Sequence, residues 1–194
     1  MPESWDRVVA ILRRGGVIAC PTETFVGLLA DAHQPSAIER VMQIKGRDAT
    51  HSLALLIPDV ACMSAWIEPL SGVAQELADQ HWPGPLTLVV LLRKNLHPAL
   101  VKDGKVGIRV PGPSPALEIA RVFGGPLTAT SANLTGDPAV RDTQQLDPRI
   151  VTGVDAVVPG RSSTDLPSTI VDVSTGEPVV LRQGAAELQL LTRG

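Results

Sequence analysis

The stretch from residue 17 to residue 47 reads VIACPTETFVGLLADAHQPSAIERVMQIKGR, and its parts set the fold class. Val17 to Cys20 is a short apolar strand. PTETFVGL, residues 21–28, follows it with hydroxyls, and Ser36-Ala-Ile-Glu39 has the form of a capping box. That box would open a helix with Ile38, Val41 and Met42 on one side, ending near Lys45. Upstream, Ser4 is placed to cap a helix whose Trp5, Val8, Val9 and Leu12 follow i, i+3, i+4, i+7 spacing, and Gly15-Gly16 stops it. Downstream, Leu53 to Ile57 and Leu86 to Leu92 are continuous apolar runs of the kind buried on both faces, with Asp59 and Ser71 placed to cap the helical stretches between them. Val106 to Val110 reads as a strand, Ser114-Pro115 as the start of a helix running to Val122, and Leu127 to Thr130 as the next strand. The polar stretch from Ser131 to Asp142 reads as a loop. Three short strands then close the chain at Asp155 to Val158, Ser168 to Val173 and Val179 to Arg182. The expected architecture is α/β, a twisted mixed sheet with helices packed on it, in a single domain over residues 1–194.

Composition narrows the function. Seventeen Lys plus Arg against twenty Asp plus Glu, a formal charge of −3, argues against a protein held to nucleic acid by bulk charge. Two Phe, three Trp and no Tyr are too few for a base-stacking platform. Cys20 and Cys62 stand alone, so neither a disulfide framework nor a structural zinc site is expected, and a reducing compartment suits the chain. The N-terminal MPESWDRVVAILRRGG carries charges where a signal peptide needs apolar residues, and no later run approaches the roughly 18 apolar residues of a membrane span. A soluble, cytoplasmic protein is expected.

Common catalytic fingerprints are missing. There is no GxGxxG, the Gly104-Lys105 pair has Val106 after it and Ala99 where a P-loop needs glycine, and there is no HExxH or GxSxG. His33, His51, His81 and His97 lack metal-ligand spacing. What remains is a series of polar segments at strand ends: PTET at 21–24, KGR at 45–47, WPGPLT at 82–87, GIRVP at 107–111, TSAN at 130–133, PSTIVD at 167–172 and LRQG at 181–184. In an open α/β sheet, ligands collect at strand ends, where cations and hydroxyls grip phosphates and carboxylates. Each segment alone also has a plain structural reading. PTET and TSAN make turns or caps, Lys45 and Arg47 complement a helix dipole, and WPGPLT is a rigid turn with Trp82 in the core. Arg109 differs, because it lies between Ile108 and Val110 and points away from their buried face. If its own face is covered, it needs an anionic partner.

Taken in this order, the segments resemble the YrdC/Sua5 family, the threonylcarbamoyl-adenylate synthases, with the match running from PTETFVGL at 21 to RQG at 182–184. The length is similar to the family's short bacterial form. The resemblance implies a twisted α/β sheet around a central charged cavity, where L-threonine, bicarbonate and ATP give threonylcarbamoyl-AMP and pyrophosphate. ATP would enter as a substrate with Mg2+, with no tightly bound cofactor and no protein metal site. Other proteins would pass the product's threonylcarbamoyl group to a tRNA adenosine beside the anticodon. Carried over by position, Lys45, Arg47, Ser131 and Asn133 match the residues most closely tied to activity. Thr24, Arg109 and Thr169 match threonine-binding positions, and Arg47, His51, Lys105, Ser131 and Arg182 match positions facing ATP. The chain departs from the family at Phe25-Val26, where many members read Val-Tyr and an aromatic wall is expected to be lost. Asp48 follows the KxR, His51 stands for an Asn of longer members, and Leu56 replaces a histidine that some of them place near threonine.

Two other readings follow from the residues. Arg93, Lys94, Lys102, Lys105 and Arg109 oppose only Asp103 between residues 93 and 109, a local basic run that suits weak tRNA or double-stranded RNA binding. The other is a paralogue that adenylates a different carbamate.

Overall fold

The computed structural model describes residues 5–46 and 52–188. Within them lie nine strands: β1 (Ile18–Pro21), β2 (Val26–Leu29), β3 (Ala54–Leu56), β4 (Leu86–Leu91), β5 (Lys105–Arg109), β6 (Leu127–Ser131), β7 (Ala156–Val157), β8 (Thr169–Asp172) and β9 (Val179–Arg182). They form one mixed sheet in the order β7-β1-β2-β6-β3-β5-β4-β8-β9. Parallel pairing joins β1 to β7, β3 to β5 and β4 to β8, while the other neighbours run antiparallel. Five α-helices accompany the sheet: α1 (Asp6–Arg13), α2 (Pro35–Lys45), α3 (Val73–His81), α4 (Pro115–Phe123) and α5 (Pro148–Gly153).

Strand alternation divides the core between the two faces of the sheet. Ile18, Cys20, Leu29, Leu56 and Leu127 pack against Val9 and Leu12 of α1 and Ala116, Ile119 and Ala120 of α4. Val17, Ala19, Leu28, Leu55, Leu88 and Ile108 belong to the opposite cluster, with Ile38 and Val41 of α2, Leu77 and Ala78 of α3 and Ile150 of α5. The centre of the sheet is thus covered on both sides, which is why its strands are unbroken apolar runs. Each buried Leu or Ile there stabilises the fold by about 1.5–3 kcal/mol. Among the described residues, no helix is long and apolar enough to cross a membrane.

Helix starts follow their signals unevenly. Ser114 caps α4 as expected, its hydroxyl accepting from Leu117 N, with Pro115 in the first turn. Asp59 caps Cys62 N, but the element it opens is a short 3-10 helix, Val60–Met63. Ser36 does not cap α2. Pro35 occupies the first turn after an extended Gln34, and its preset φ starts the helix one residue before the expected box. Ser71 likewise lends only its carbonyl, to Ala74 N, because α3 begins after Gly72. The cap expected at Ser4 lies outside the described residues. Trp82 is partly buried and donates from Nε1 to Leu86 O at 2.6 Å, which ties the WPGPLT turn to its own strand.

Candidate active-site cavity

The polar ends of β2, β3, β5, β6 and β8 surround a cavity of about 430 Å3. Thr24, Lys45, Arg109, Ser131, Asn133 and Arg182 all line it, so most of the expected site residues within the described chain come together. The β1–β2 turn places the first of them. Thr22 Oγ1 accepts from Thr24 N and Phe25 N and bonds Phe25 O, closing a hydroxyl-braced turn that presents Thr24. Phe25 and Val26 both line the cavity, so an aromatic residue remains on this part of the lining. Leu56 lines it too.

At one end, α2 stops at Gly46 in the left-handed conformation and leaves Lys45, only 4 % exposed, aimed across to β6. Its Nζ donates to Ser131 O at 2.6 Å and Asn133 O at 2.9 Å. Ser131 Oγ donates to Asn133 Oδ1, whose amide nitrogen holds Leu134 O and Asp137 O. Thr135 returns the link by donating its N–H and hydroxyl to Lys45 O. One lysine therefore ties the end of a helix to the turn after a strand, with charge held at the cavity surface.

At the other end lie two guanidiniums. Arg109 is buried, as its strand position predicts, and its anionic partner is Glu23: Oε1 stands 3.4 Å from Nη1, with both side chains 8 % exposed. Thr24 Oγ1 accepts from the same Nη1 at 3.3 Å. Burial pulls the Arg109 guanidinium below its usual pKa range, and the Glu23 charge opposes that. Arg182 donates to Ser168 O and Oγ, and Ser168 Oγ accepts from Thr87. Burial lowers Arg182 as well, and the like charge of Arg109 adds to the effect.

Two expected residues are placed elsewhere. Thr169 is fully buried, with its hydroxyl donating to Ala186 O at 2.8 Å and accepting from Gly184 N and Ala186 N; its neighbours Ser168 and Ile170 line the cavity instead. Lys105 is drawn into a 2.8 Å ion pair with Asp172 and does not line the cavity. Arg47, Asp48 and His51 lie outside the described residues. Thr87 and Ser168, which line the cavity, and Glu23, which pairs with Arg109 behind it, were not assigned by the sequence reading, although each sits inside a quoted segment. Thr169→Val is expected to lower folding stability by about 1–3 kcal/mol, since two buried N–H groups lose their acceptor. Urea denaturation measures it.

The basic run at 93–109 disperses in three dimensions. Arg93 pairs with Glu68 at 2.6 Å, Lys105 with Asp172, and Arg109 turns into the cavity, leaving Lys94 and Lys102 as its exposed remainder. The continuous cationic patch expected of an RNA-binding surface is not formed by these five side chains.

Residues 10–184 match the family described as Sua5_yciO_yrdC, telomere recombination. The threonylcarbamoyl-AMP synthase of Stenotrophomonas maltophilia is 32 % identical over 175 residues, spanning 88 % of this chain and 94 % of that protein. The crystal structure of E. coli YciO superposes with a TM-score of 0.82 at 27 % identity, covering 94 % of this chain and 90 % of the other. That of Pyrococcus abyssi Sua5 complexed with L-threonine gives a TM-score of 0.84 at 28 % identity over 92 % of this chain, which spans only 53 % of the archaeal one.

Proposed function

The chain belongs to the Sua5–YciO–YrdC family and is homologous over most of its length to threonylcarbamoyl-AMP synthases, and from that premise we propose that it is a nucleotidyltransferase making threonylcarbamoyl-AMP. L-threonine, bicarbonate and MgATP are its substrates and pyrophosphate its second product. The observation that carries this is the charge of the cavity: Lys45, Arg109 and Arg182 converge on about 430 Å3, and no acid is among its described lining residues. Such a space suits ligands with several negative charges, here a carboxylate and a chain of phosphates.

The chemistry needs placement more than a protein nucleophile. The threonine amine joins the carbon of bicarbonate with loss of water, and a carbamate oxygen then attacks the α-phosphorus in line. The bond to the β-phosphate oxygen breaks and pyrophosphate leaves. Arg109 receives the threonine carboxylate and Thr24 frames the side chain. Lys45 and Arg47 cover phosphoryl charge, while Ser131 and Asn133 donate to oxygens whose charge grows in the transition state. Arg182 and His51 face the nucleotide. Lys105 and Thr169, committed to Asp172 and to the 184–186 turn, serve the site through the fold. The product would pass, in the cytoplasm, to proteins that transfer its threonylcarbamoyl group to tRNA.

Pure protein incubated with ATP, bicarbonate and threonine is expected to yield pyrophosphate and a threonylcarbamoyl adenylate by mass spectrometry. Folded protein that gives neither refutes the proposal. Serine in place of threonine is expected to lower kcat/KM by about ten- to two-hundredfold, because one methyl group in a pocket offers only about 1–3 kcal/mol of discrimination. An amine screen in the same assay identifies any better substrate.

A further inference from the structure

Among the described residues, Glu23 is the acid that meets a cation of the cavity, and its placement is that of a group behind the wall. Thr22, Thr24 and Phe25 line the cavity but Glu23 does not. Both of its carboxylate oxygens are buried without a hydrogen-bond partner among the described residues. A carboxylate in that state is unfavourable unless an opposite charge offsets it, so the rest of the chain must hold it where Arg109 can do so.

Two contacts do this. The Glu23 carbonyl accepts from Ser163 Oγ at 2.9 Å and from Thr164 N at 3.1 Å, which fixes its backbone from the side of the 160s segment. Gly112, just after the strand that bears Arg109, leaves open the space the side chain fills: a Cβ there would stand 3.0 Å from Glu23 Cγ and 3.3 Å from its Cβ. Glu23 and Thr24 thus both engage Nη1 of Arg109, and the other N–H groups of the fork have no partner among the described residues. Arg182 lies close enough to feel the charge of Arg109, so without an acid at this point the buried Arg109 guanidinium would have a like charge nearby and no counter-charge among the described residues.

We propose that Glu23 is a positioning residue for the amino-acid substrate, holding the Arg109 guanidinium from behind so that the rest of its fork meets the carboxylate, with Gly112 keeping the room for it. The role toward substrate rests on the reading of Arg109 as the carboxylate-binding group. Glu23→Gln keeps the shape and removes the charge; Gly112→Ala keeps the charge and pushes the side chain. Both are expected to raise the threonine KM by about ten- to a hundredfold, as a small misplacement of a binding group does. The ATP KM is expected to stay within about twofold.

A second readout needs no turnover. In full-length protein with 15N-labelled arginine, the Arg109 Nη resonances, assigned by their loss in Arg109→Lys, should exchange slowly with solvent in the wild type, where Glu23 and Thr24 hold Nη1, and lose that protection in both variants. Unchanged protection in both variants overturns the positioning role, as does a threonine KM that does not move or moves together with that of ATP. If the wild type makes no product from threonine, the proposed function fails, and the resonances still decide whether Glu23 holds Arg109.

Discussion

Arg109→Ala is expected to lose about 3–5 kcal/mol of folding stability and threonine-dependent turnover together, because it removes one half of a buried ion pair. The stability loss comes from Glu23. With the guanidinium gone, its carboxylate remains inside the protein with neither a counter-charge nor a hydrogen-bond donor among the described residues. Removing Glu23 as well should restore most of the stability, since replacing both members of a buried pair with apolar groups is often close to neutral, yet it should restore no threonine binding. Urea denaturation of the two single variants and the double variant reads the first effect, and calorimetric titration with threonine reads the second. Arg109→Lys separates charge from geometry. It keeps the cation but lacks the planar fork that meets a carboxylate bidentately, so threonine affinity should fall while ATP affinity, titrated alone, changes much less. If ATP affinity collapses and threonine affinity survives, Arg109 serves the phosphates and the assignment is wrong.

How much of this was legible in the sequence depends on the range over which each feature is set. Apolar runs bounded by turn residues gave β4, largely buried, to within a residue and β9, an exposed edge strand, without error, because a short apolar run between turn signals declares itself locally. Ser114-Pro115 was legible for the same reason. The start of α2 was not: Ser36 and Glu39 have the form of a capping box, but Pro35, one residue earlier, already has the backbone of a first turn. Helix α5 went unread because it is short, although Asp147 accepts from Arg149 N and Pro148 follows it. The β1–β2 pairing that gives PTETFVGL its shape depends on which residues face each other, Pro21 opposite Val26, and no local pattern specifies that.

In the site, the order of polar segments identified the cavity end of each strand but not which residue of a pair faces it. Ser168 lines the cavity and Thr169 is buried against the 184–186 turn, a difference of one position that strand alternation turns into opposite sides of the sheet. Lys105 does not line the cavity because its partner, Asp172, lies two strands away and holds it in an ion pair, which no local pattern specifies. Arg109 shows the opposite case. Burial alone demanded an anion, and the demand was correct, but the chain met it with Glu23 before any substrate arrives.

Lys45→Ala is expected to lower kcat/KM by on the order of a hundredfold or more, the usual effect of removing a charge that acts on a phosphoryl group in the transition state. It should also destabilise the fold by about 1–3 kcal/mol, since Ser131 O and Asn133 O lose the donor that holds them. A lysine at a helix end suggests an exposed side chain that could be removed without structural effect, and the burial of Lys45 contradicts that. The same contacts predict how it couples to its neighbours. Asn133 takes Nζ on its backbone carbonyl, accepts the Ser131 hydroxyl on its side-chain oxygen, and ties down Leu134 O and Asp137 O with its amide, so the lysine and the asparagine hold one turn between them. Residues that act as a unit are not additive. Lys45→Ala and Asn133→Ala together should therefore cost little more activity than the worse of the two alone, whereas Lys45→Ala with Arg182→Ala, at opposite ends of the cavity, should approach the product of the separate losses. A steady-state double-mutant cycle in ATP and threonine measures both. Full additivity between Lys45 and Asn133 would mean that the lysine acts on the phosphates independently of the turn it holds.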